Sequence, residues 1–165
     1  MRPLHEAPYP IIDTDPLFSR VVRYMRPVDY LVWAGTAMVG PAVVFLTEKY
    51  MPPGQGRIRY MRDMKVVTLL TTALGFMNGY ASSCTRFWGL RENSREIKMY
   101  RQEYARLKAQ GKPMHGTSTL PLSIQRTAAG YSTGAFLAFD MFPIFNFVDH
   151  PFHGQSEGVI PEDEK

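Results

Sequence analysis

Several side-chain groupings in this 165-residue chain have types and spacings that invite chemistry. His150 and His153 flank Pro151 and Phe152 beside Asp149, three potential metal ligands within five residues. A closed zinc site needs four N or S donors at set spacings. The single Cys84 is far away in sequence, and neither His5 nor His115 has a spacing that completes a set. Pro151 also breaks the helical spacing that would place both histidines on one face, so the reading is a turn anchored by polar side chains. Glu92 and Glu96, four residues apart, have the spacing of paired carboxylates for acid–base work. Arg91, Arg95 and Lys98 interleave with them, which reads as a solvated charged face. Ser82, Ser83 and Cys84 are adjacent nucleophile types without a histidine nearby in sequence to act as base. Gln55 between Gly54 and Gly56 lacks the rest of a phosphate-loop signature. The sequence therefore predicts no catalytic residue, no metal ligand and no cofactor-binding residue. One cysteine also excludes an internal disulfide.

The elements that carry these residues follow from where charge is missing. The averages look soluble: net charge +4, 45% hydrophobic residues and a mean hydropathy of −0.21. The positive excess is modest and scattered, so it predicts no nucleic-acid partner. Residues 66–85 are nevertheless uncharged for 20 positions and residues 30–47 for 18. A helix rising ~1.5 Å per residue needs about 20 residues to cross roughly 30 Å of hydrocarbon. A soluble helix carries a charged stripe along one face, and neither run has one. Tyr24, Arg26, Tyr30 and Trp33 mark one end of the first run, and Arg86, Phe87, Trp88 and Arg91 the exit of the second, as interfacial anchors would. Gly75, Gly79 and Ser83 recur every fourth residue, and Thr36 and Gly40 repeat the spacing in the first run, where Pro41 predicts a kink. Such small-residue faces let helices approach closely in lipid. Asn78 is the one strongly polar side chain in either run besides hydroxyls. A transporter would place ionisable groups there.

The expected fold is an all-α membrane protein: a two-helix transmembrane hairpin with an extended amphipathic helix, and irregular terminal segments packed on partner subunits. Residues 1–29 form a Pro-rich segment with a short surface helix that Asp15 and Pro16 start, with Leu17, Val21, Val22 and Met25 on its apolar side and Arg20, Arg23 and Arg26 on the other. Residues 30–47 and 66–85 are the two spans. The loop 48–65 carries Lys49, Arg57, Arg59, Arg62 and Lys65, which reads either as contact with anionic phospholipid headgroups, cardiolipin among them, or with an acidic neighbour, or equally as ordinary flanking charge around two spans. Residues 86–112 read as an amphipathic helix outside the membrane, with a seam of Ile97, Tyr100, Tyr104 and Leu107 and a stop at Gly111 and Pro113. Residues 113–165 read as an extended, aromatic-rich segment with an acidic tail. Phe136, Phe139, Phe142, Phe145, Phe147 and Phe152 lie there with few charges between them. So much aromatic surface predicts cover by a partner.

Four segments carry a resemblance. Tyr9-Pro10-Ile11-Ile12-Asp13-Thr14-Asp15-Pro16, then Arg20-Val21-Val22-Arg23-Tyr24 and Arg26-Pro27-Val28-Asp29-Tyr30, and finally Phe145-Asn146-Phe147-Val148-Asp149-His150-Pro151-Phe152-His153-Gly154 are similar to blocks of the fungal 21 kDa accessory subunits of mitochondrial NADH:ubiquinone oxidoreductase, respiratory complex I. The resemblance spans roughly Tyr9 to Gly154. It implies a protein of the mitochondrial inner membrane that touches core and accessory subunits of the complex I membrane arm, and the two uncharged runs make that protein multi-pass. It implies no cofactor and no catalytic residue in this chain, whose share would be assembly and stability of the enzyme. The competing reading is a membrane-bound assembly factor or lipid-binding adaptor that leaves before the mature complex forms.

Overall fold

The computed structural model describes residues 7–51, 56–138, 145–152 and 159, with side chains omitted over 131–138. Among the described residues the chain is helical: α1 (Phe18–Tyr24), α2 (Pro27–Tyr50), α3 (Arg57–Phe87), α4 (Ser94–Ala109) and α5 (Leu122–Ala138). The one β contact is an isolated parallel bridge between Leu17 and Asn146. The chain divides into two compact units, Met25–Ser82 and the remainder.

The unit Met25–Ser82 is a pair of helices. Pro27 opens α2, where a missing N–H costs nothing and φ is already helical. The Arg26 amide donates to Asp29 Oδ2 at 2.7 Å and so closes the first turn. The helix runs 24 residues, about 36 Å at ~1.5 Å per residue. It extends three residues beyond the uncharged run at each end. Among the described residues α2 is the one helix long and apolar enough to cross a membrane. The expected two-span hairpin is thus matched in its first member, while α3 is a 31-residue helix whose apolar stretch is diluted by Thr68, Thr71, Thr72 and Asn78.

Close approach of the two helices rests on the small residues. A Cβ on Gly75 would lie 2.7 Å from the Trp33 carbonyl oxygen, one on Gly79 2.8 Å from Met25 Cε and 3.3 Å from the Asp29 oxygen, and one on Gly40 2.5 Å from Val67 Cγ1. Low numbers on α2 meet high numbers on α3, so the helices run antiparallel. Pro41 has no N–H, which leaves the Ala37 carbonyl without its helical donor. Thr71 Oγ1 stands 3.1 Å from that carbonyl and 2.9 Å from its own Val67 carbonyl, so its one proton serves either. Neighbouring hydroxyls are how a proline is tolerated where no water can help. The Trp33 indole likewise donates to the Thr72 carbonyl at 2.9 Å.

The other unit holds α1, the last turn of α3, α4 and α5. The sequence reading continued one helix from residue 86 to 112, but the structure turns the chain between Phe87 and Ser94. Gly89 has φ +70°, the Leu90 amide reaches back to Thr85 O at 2.9 Å and the Gly89 amide to Arg86 O at 3.3 Å. These bonds satisfy the orphan carbonyls of a helix end that closes on a left-handed glycine. The same arrangement closes α4, where Gly111 has φ +64° and the Lys112 amide bonds Leu107 O at 3.0 Å. Residues 122–138, expected as extended chain, are helical. No proline interrupts them, and Gln125 Nε2 donates back to Leu120 O at 2.6 Å at the start.

The two glycines make a matched test. Alanine in the left-handed region costs about 1–2 kcal/mol, and a Cβ on Gly111 meets nothing within 4 Å. A Cβ on Gly89 would sit 2.3 Å from the Tyr9 carbonyl oxygen. Gly111→Ala is expected to lose about 1–2 kcal/mol. Gly89→Ala is expected to lose clearly more and to speed proteolysis before Phe18. Denaturant unfolding in detergent and timed protease digestion measure both, and equal losses would contradict this assignment.

Candidate functional site

The residues with chemical potential converge in the unit built from Met1–Tyr24 and Ser83–Lys165, and there they form a buried polar core. Leu17, Arg20, Val21 and Tyr24 share one face of α1 at i, i+3, i+4 and i+7. Arg20 is therefore buried with the apolar stripe, not exposed beside Arg23 as expected. Its guanidinium reaches Met114 O at 3.0 Å, His115 Nδ1 at 3.3 Å and Glu103 Oε1 at 3.7 Å, with Asp13 at 4.0 Å. Because His115 Nδ1 accepts from Arg20, its Nε2 carries the proton toward the Tyr100 hydroxyl at 3.0 Å. Glu103 also accepts from the Tyr24 hydroxyl at 2.8 Å and from Arg23 at 3.2 Å.

The second cluster corrects the reading of Glu92 and Glu96 as a solvated pair. Glu92 is exposed and accepts from the Ser94 amide at 2.8 Å, at the start of α4. Glu96 is 0% exposed and lies 3.5 Å from Arg86 and 3.4 Å from Arg95. The fully buried positions of α4 are thus Glu96 and Tyr100, while Glu103 is half-buried, as are the predicted Ile97, Tyr104 and Leu107. The signal was present: Glu96 and Glu103 keep heptad spacing with Tyr100 between them. A charge-based reading excluded them because it assigned carboxylates to water.

The third cluster joins the chain ends. His150 is wholly buried and its Nε2 lies 2.6 Å from Asp15 Oδ2. The Phe152 amide donates to His150 Nδ1 at 3.2 Å, which puts the ring proton on Nε2, facing the carboxylate. Asp15 was expected to cap α1 and instead anchors this histidine. The neighbouring Asp149 binds the Thr117 hydroxyl and, at 3.1 Å, the Thr117 amide. Burial raises the Asp149 carboxyl, but the Thr117 hydroxyl and amide and the Gly116 amide together hold it below the usual aspartate value. Among the described residues no three His, Cys, Asp or Glu gather to hold a metal, and His153 lies outside them.

The N-terminal strap is fixed by backbone bonds to the turn after α3. Tyr9 N donates to Gly89 O at 3.1 Å, Ile12 N to Phe87 O at 2.9 Å, and Asn93 Nδ2 bridges Pro10 O and Arg86 O at 2.8 Å each. Trp88, expected as an interfacial anchor, is buried and donates from Nε1 to Thr14 O at 3.2 Å. An open cleft of about 310 Å³ lies over this core, lined by Arg23, Tyr24, Met99, Gln102, Glu103 and Arg106. Burial, then the hydrogen bond to the Glu103 carboxylate, push the Tyr24 phenol far above tyrosine's usual 10.0. A phenol held so firmly protonated is no base at neutral pH.

The remaining expected site residues sit as follows. Thr36, Gly40, Gly75 and Gly79 lie in the helix pair, with Thr36 Oγ1 bonded to its own Val32 carbonyl. Ser83 turns elsewhere and donates to Val21 O at 3.0 Å. Lys49 and Arg57 line a hollow of about 390 Å³ with Phe45, Glu48 and Tyr60. Arg57, Arg59, Arg62 and Lys65 are on the first turns of α3 and not in a loop, and Arg62 pairs with Asp63 at 3.2 Å. Phe145 and Phe147 pack on Phe18 with ring centroids 5.2 and 4.9 Å apart. Phe147 is 69% exposed and Phe152 42%. Phe136, Phe139 and Phe142 lie outside the described side chains.

Comparison with known proteins decides the family. The family model for the NADH-ubiquinone oxidoreductase complex I 21 kDa subunit matches residues 6–92. The chain belongs to this family. It is also 40% identical over 146 residues to the Neurospora crassa NADH-ubiquinone oxidoreductase 20.9 kDa subunit, covering 88% of this chain and 77% of that one. The 21 kDa subunit is an accessory part of complex I and not catalytic on its own. The matched stretch runs from the strap through both helices of the pair to the turn at Gly89.

Two outcomes follow for the 21 kDa fold. Glu96→Ala leaves Arg86 buried without its carboxylate and is expected to cost about 3–5 kcal/mol, against about 1 kcal/mol for Glu92→Ala at the helix start. Denaturant midpoints separate them. The raised Tyr24 phenol keeps its full contribution below pH 10.0, and stability falls above that as the unfolded phenol ionises first. Tyr24→Phe should flatten that alkaline limb relative to the unaltered chain; an identical limb would overturn the assignment.

Proposed function

We propose that this chain is a non-catalytic accessory subunit of the membrane arm of respiratory complex I, held in the mitochondrial inner membrane, where it supports assembly and stability of the NADH:ubiquinone oxidoreductase. The observation that carries this reading is the surface of α2. Only 6% of its apolar stretch is buried within the described chain. Leu31, Val32, Met38, Val39, Val43, Phe45 and Leu46 all remain exposed. A free water-soluble protein rarely leaves so long an apolar patch uncovered. Lipid or another membrane subunit must take its place.

On this reading α3 crosses the membrane with α2, so the chain is multi-pass. Support comes from Leu69, Leu70 and Leu74, exposed on α3, and from hydroxyls that turn to backbone carbonyls, as Thr68 and Thr71 do. Lys65 and Arg62 reach the headgroup layer by snorkelling. The helix-packing residues Gly40, Gly75 and Gly79 serve to build the pair that neighbouring subunits then recognise. The exposed Phe147 and Phe152 are the aromatic surface for partner subunits of complex I.

Native electrophoresis of solubilised mitochondrial membranes tests this, with peptide identification in each band. The chain is expected in the mature complex I band. Its presence on subcomplexes alone would favour an assembly factor, and a stable free monomer would defeat both. Gly75→Leu with Gly79→Leu drives side chains into the Trp33 and Asp29 backbone and is expected to remove the chain from complex I. At Gly35 a Cβ would meet nothing within 4 Å among the described residues, so Gly35→Leu is the matched control. Any loss of incorporation it causes would therefore locate a partner on the outer face of α2.

A further inference from the structure

We propose that the hollow at the α2 C-terminus and α3 N-terminus binds the phosphodiester of an anionic phospholipid. The inference rests on α2 lying in the membrane. The site belongs wholly to the helix pair: Phe45, Glu48 and Lys49 come from α2, Arg57 and Tyr60 from α3, and they line an open hollow of about 390 Å³. Its depth matches a lipid. The uncharged run of α2 ends at Thr47, so Phe45 lies at the level of acyl chains and Lys49, one turn on, at the level of phosphates. Arg57 opens α3, and the first amides of a 31-residue helix add their own positive end.

The charges are also right for a phosphodiester. Lys49 and Arg57 against Glu48 leave one net positive charge, the counterpart of one phosphodiester charge and a poorer match for a dianion. Among the described residues Arg57 makes no ion pair, and the contact of Lys49 is with the Tyr50 ring, 5.1 Å from its Nζ to the ring centroid. Arg62, nearby on α3, is already neutralised by Asp63 at 3.2 Å. Of the five basic residues, Lys49 and Arg57 are the two that line the hollow. Lys49 and Arg57 form the site, with the Tyr60 hydroxyl as a neutral donor, while Arg62 contributes little.

The full chain reconstituted in phosphatidylcholine vesicles containing a photoactivatable phosphatidylglycerol gives the test, with crosslinked peptides read by mass spectrometry. The expected result is labelling between Phe45 and Tyr60. Each cation near an anionic lipid surface is worth about fivefold, so Lys49→Gln with Arg57→Gln should weaken labelling about 30-fold. Arg62→Gln should leave it unchanged, and Lys49→Arg with Arg57→Lys should retain it. Equal labelling in the Gln pair would overturn the proposal. So would equal labelling by a photoactivatable phosphatidylcholine, or complete competition by millimolar inorganic phosphate, which would make free phosphate the ligand. Carbonate extraction of the same vesicles keeps the two readings apart. A chain released by carbonate defeats the membrane placement of α2, whereas a retained but unlabelled chain defeats this site alone.

Discussion

The fold of the unit outside the helix pair depends on charges that cannot be left alone. Arg20, Arg86, Asp13, Asp15 and Glu96 are all buried, and each ion removed from water costs several kcal/mol unless partners replace the solvent. That cost makes the unit all-or-nothing. Arg20 draws in α4 through Glu103 and the following segment through Met114 and His115. Glu96 draws the start of α4 onto the end of α3 through Arg86. Asp15 draws the C-terminal segment back across 135 positions of sequence through His150. None of these pieces is long or apolar enough to be stable alone, and α1 has only 7 residues. A short helix is marginal in water, so its stability comes from the set of polar partners and the stripe of Leu17, Val21 and Tyr24 beside them.

The helix pair meets the opposite requirement. Many of its apolar side chains point outward, and two of its polar groups point into the contact between helices. The Trp33 indole and the Thr71 hydroxyl both end on backbone carbonyls, and Gly40, Gly75 and Gly79 remove the side chains that would hold those carbonyls away. In a hydrocarbon surrounding, close backbone packing and satisfied polar groups replace the hydrophobic effect as the source of association. The two units thus bury different things, one its ions and the other its helix backbones. This explains why whole-chain averages of charge and hydropathy look ordinary.

What could be read from the sequence follows the same division. The absence of charge over 30–47 located α2 to within three residues at each end, because a missing charge is a local property. Glycines at fourfold spacing pointed to the close face of the helix pair for the same reason. Gly111 and Pro113 announced the end of α4. The buried ions were hidden because their partners are distant in sequence. Asp15 before Pro16 has the local signature of a helix cap, and its pairing with His150 has no local signature at all. Gly89 was passed over as a residue within a charged helix, since the turn it makes is needed only once the strap of residues 9–15 lies against it. Pro52, Pro53, Gly54 and Gly56 carry turn signals in the sequence, but the helix propensity after them is not delayed, and α3 already starts at Arg57.

The segments that carry the family resemblance have a physical connection. The block from Tyr9 to Pro16 and the block from Phe145 to Gly154 are far apart in sequence and meet in the structure. Asp15 binds His150, the Asn146 side chain donates to Asp15 O at 3.3 Å, and the Phe18 amide bonds Asn146 O at 2.7 Å. A buried polar contact of this kind tolerates few replacements, because removing one partner strands the other. An apolar contact of similar size accepts many side chains of similar volume. The recognisable segments are therefore those in which polar atoms must meet polar atoms at fixed distances. For a subunit without a reaction centre, that geometric demand takes the place that catalytic residues hold in an enzyme. It fixes one conformation of this unit, and with it the surface around Phe147.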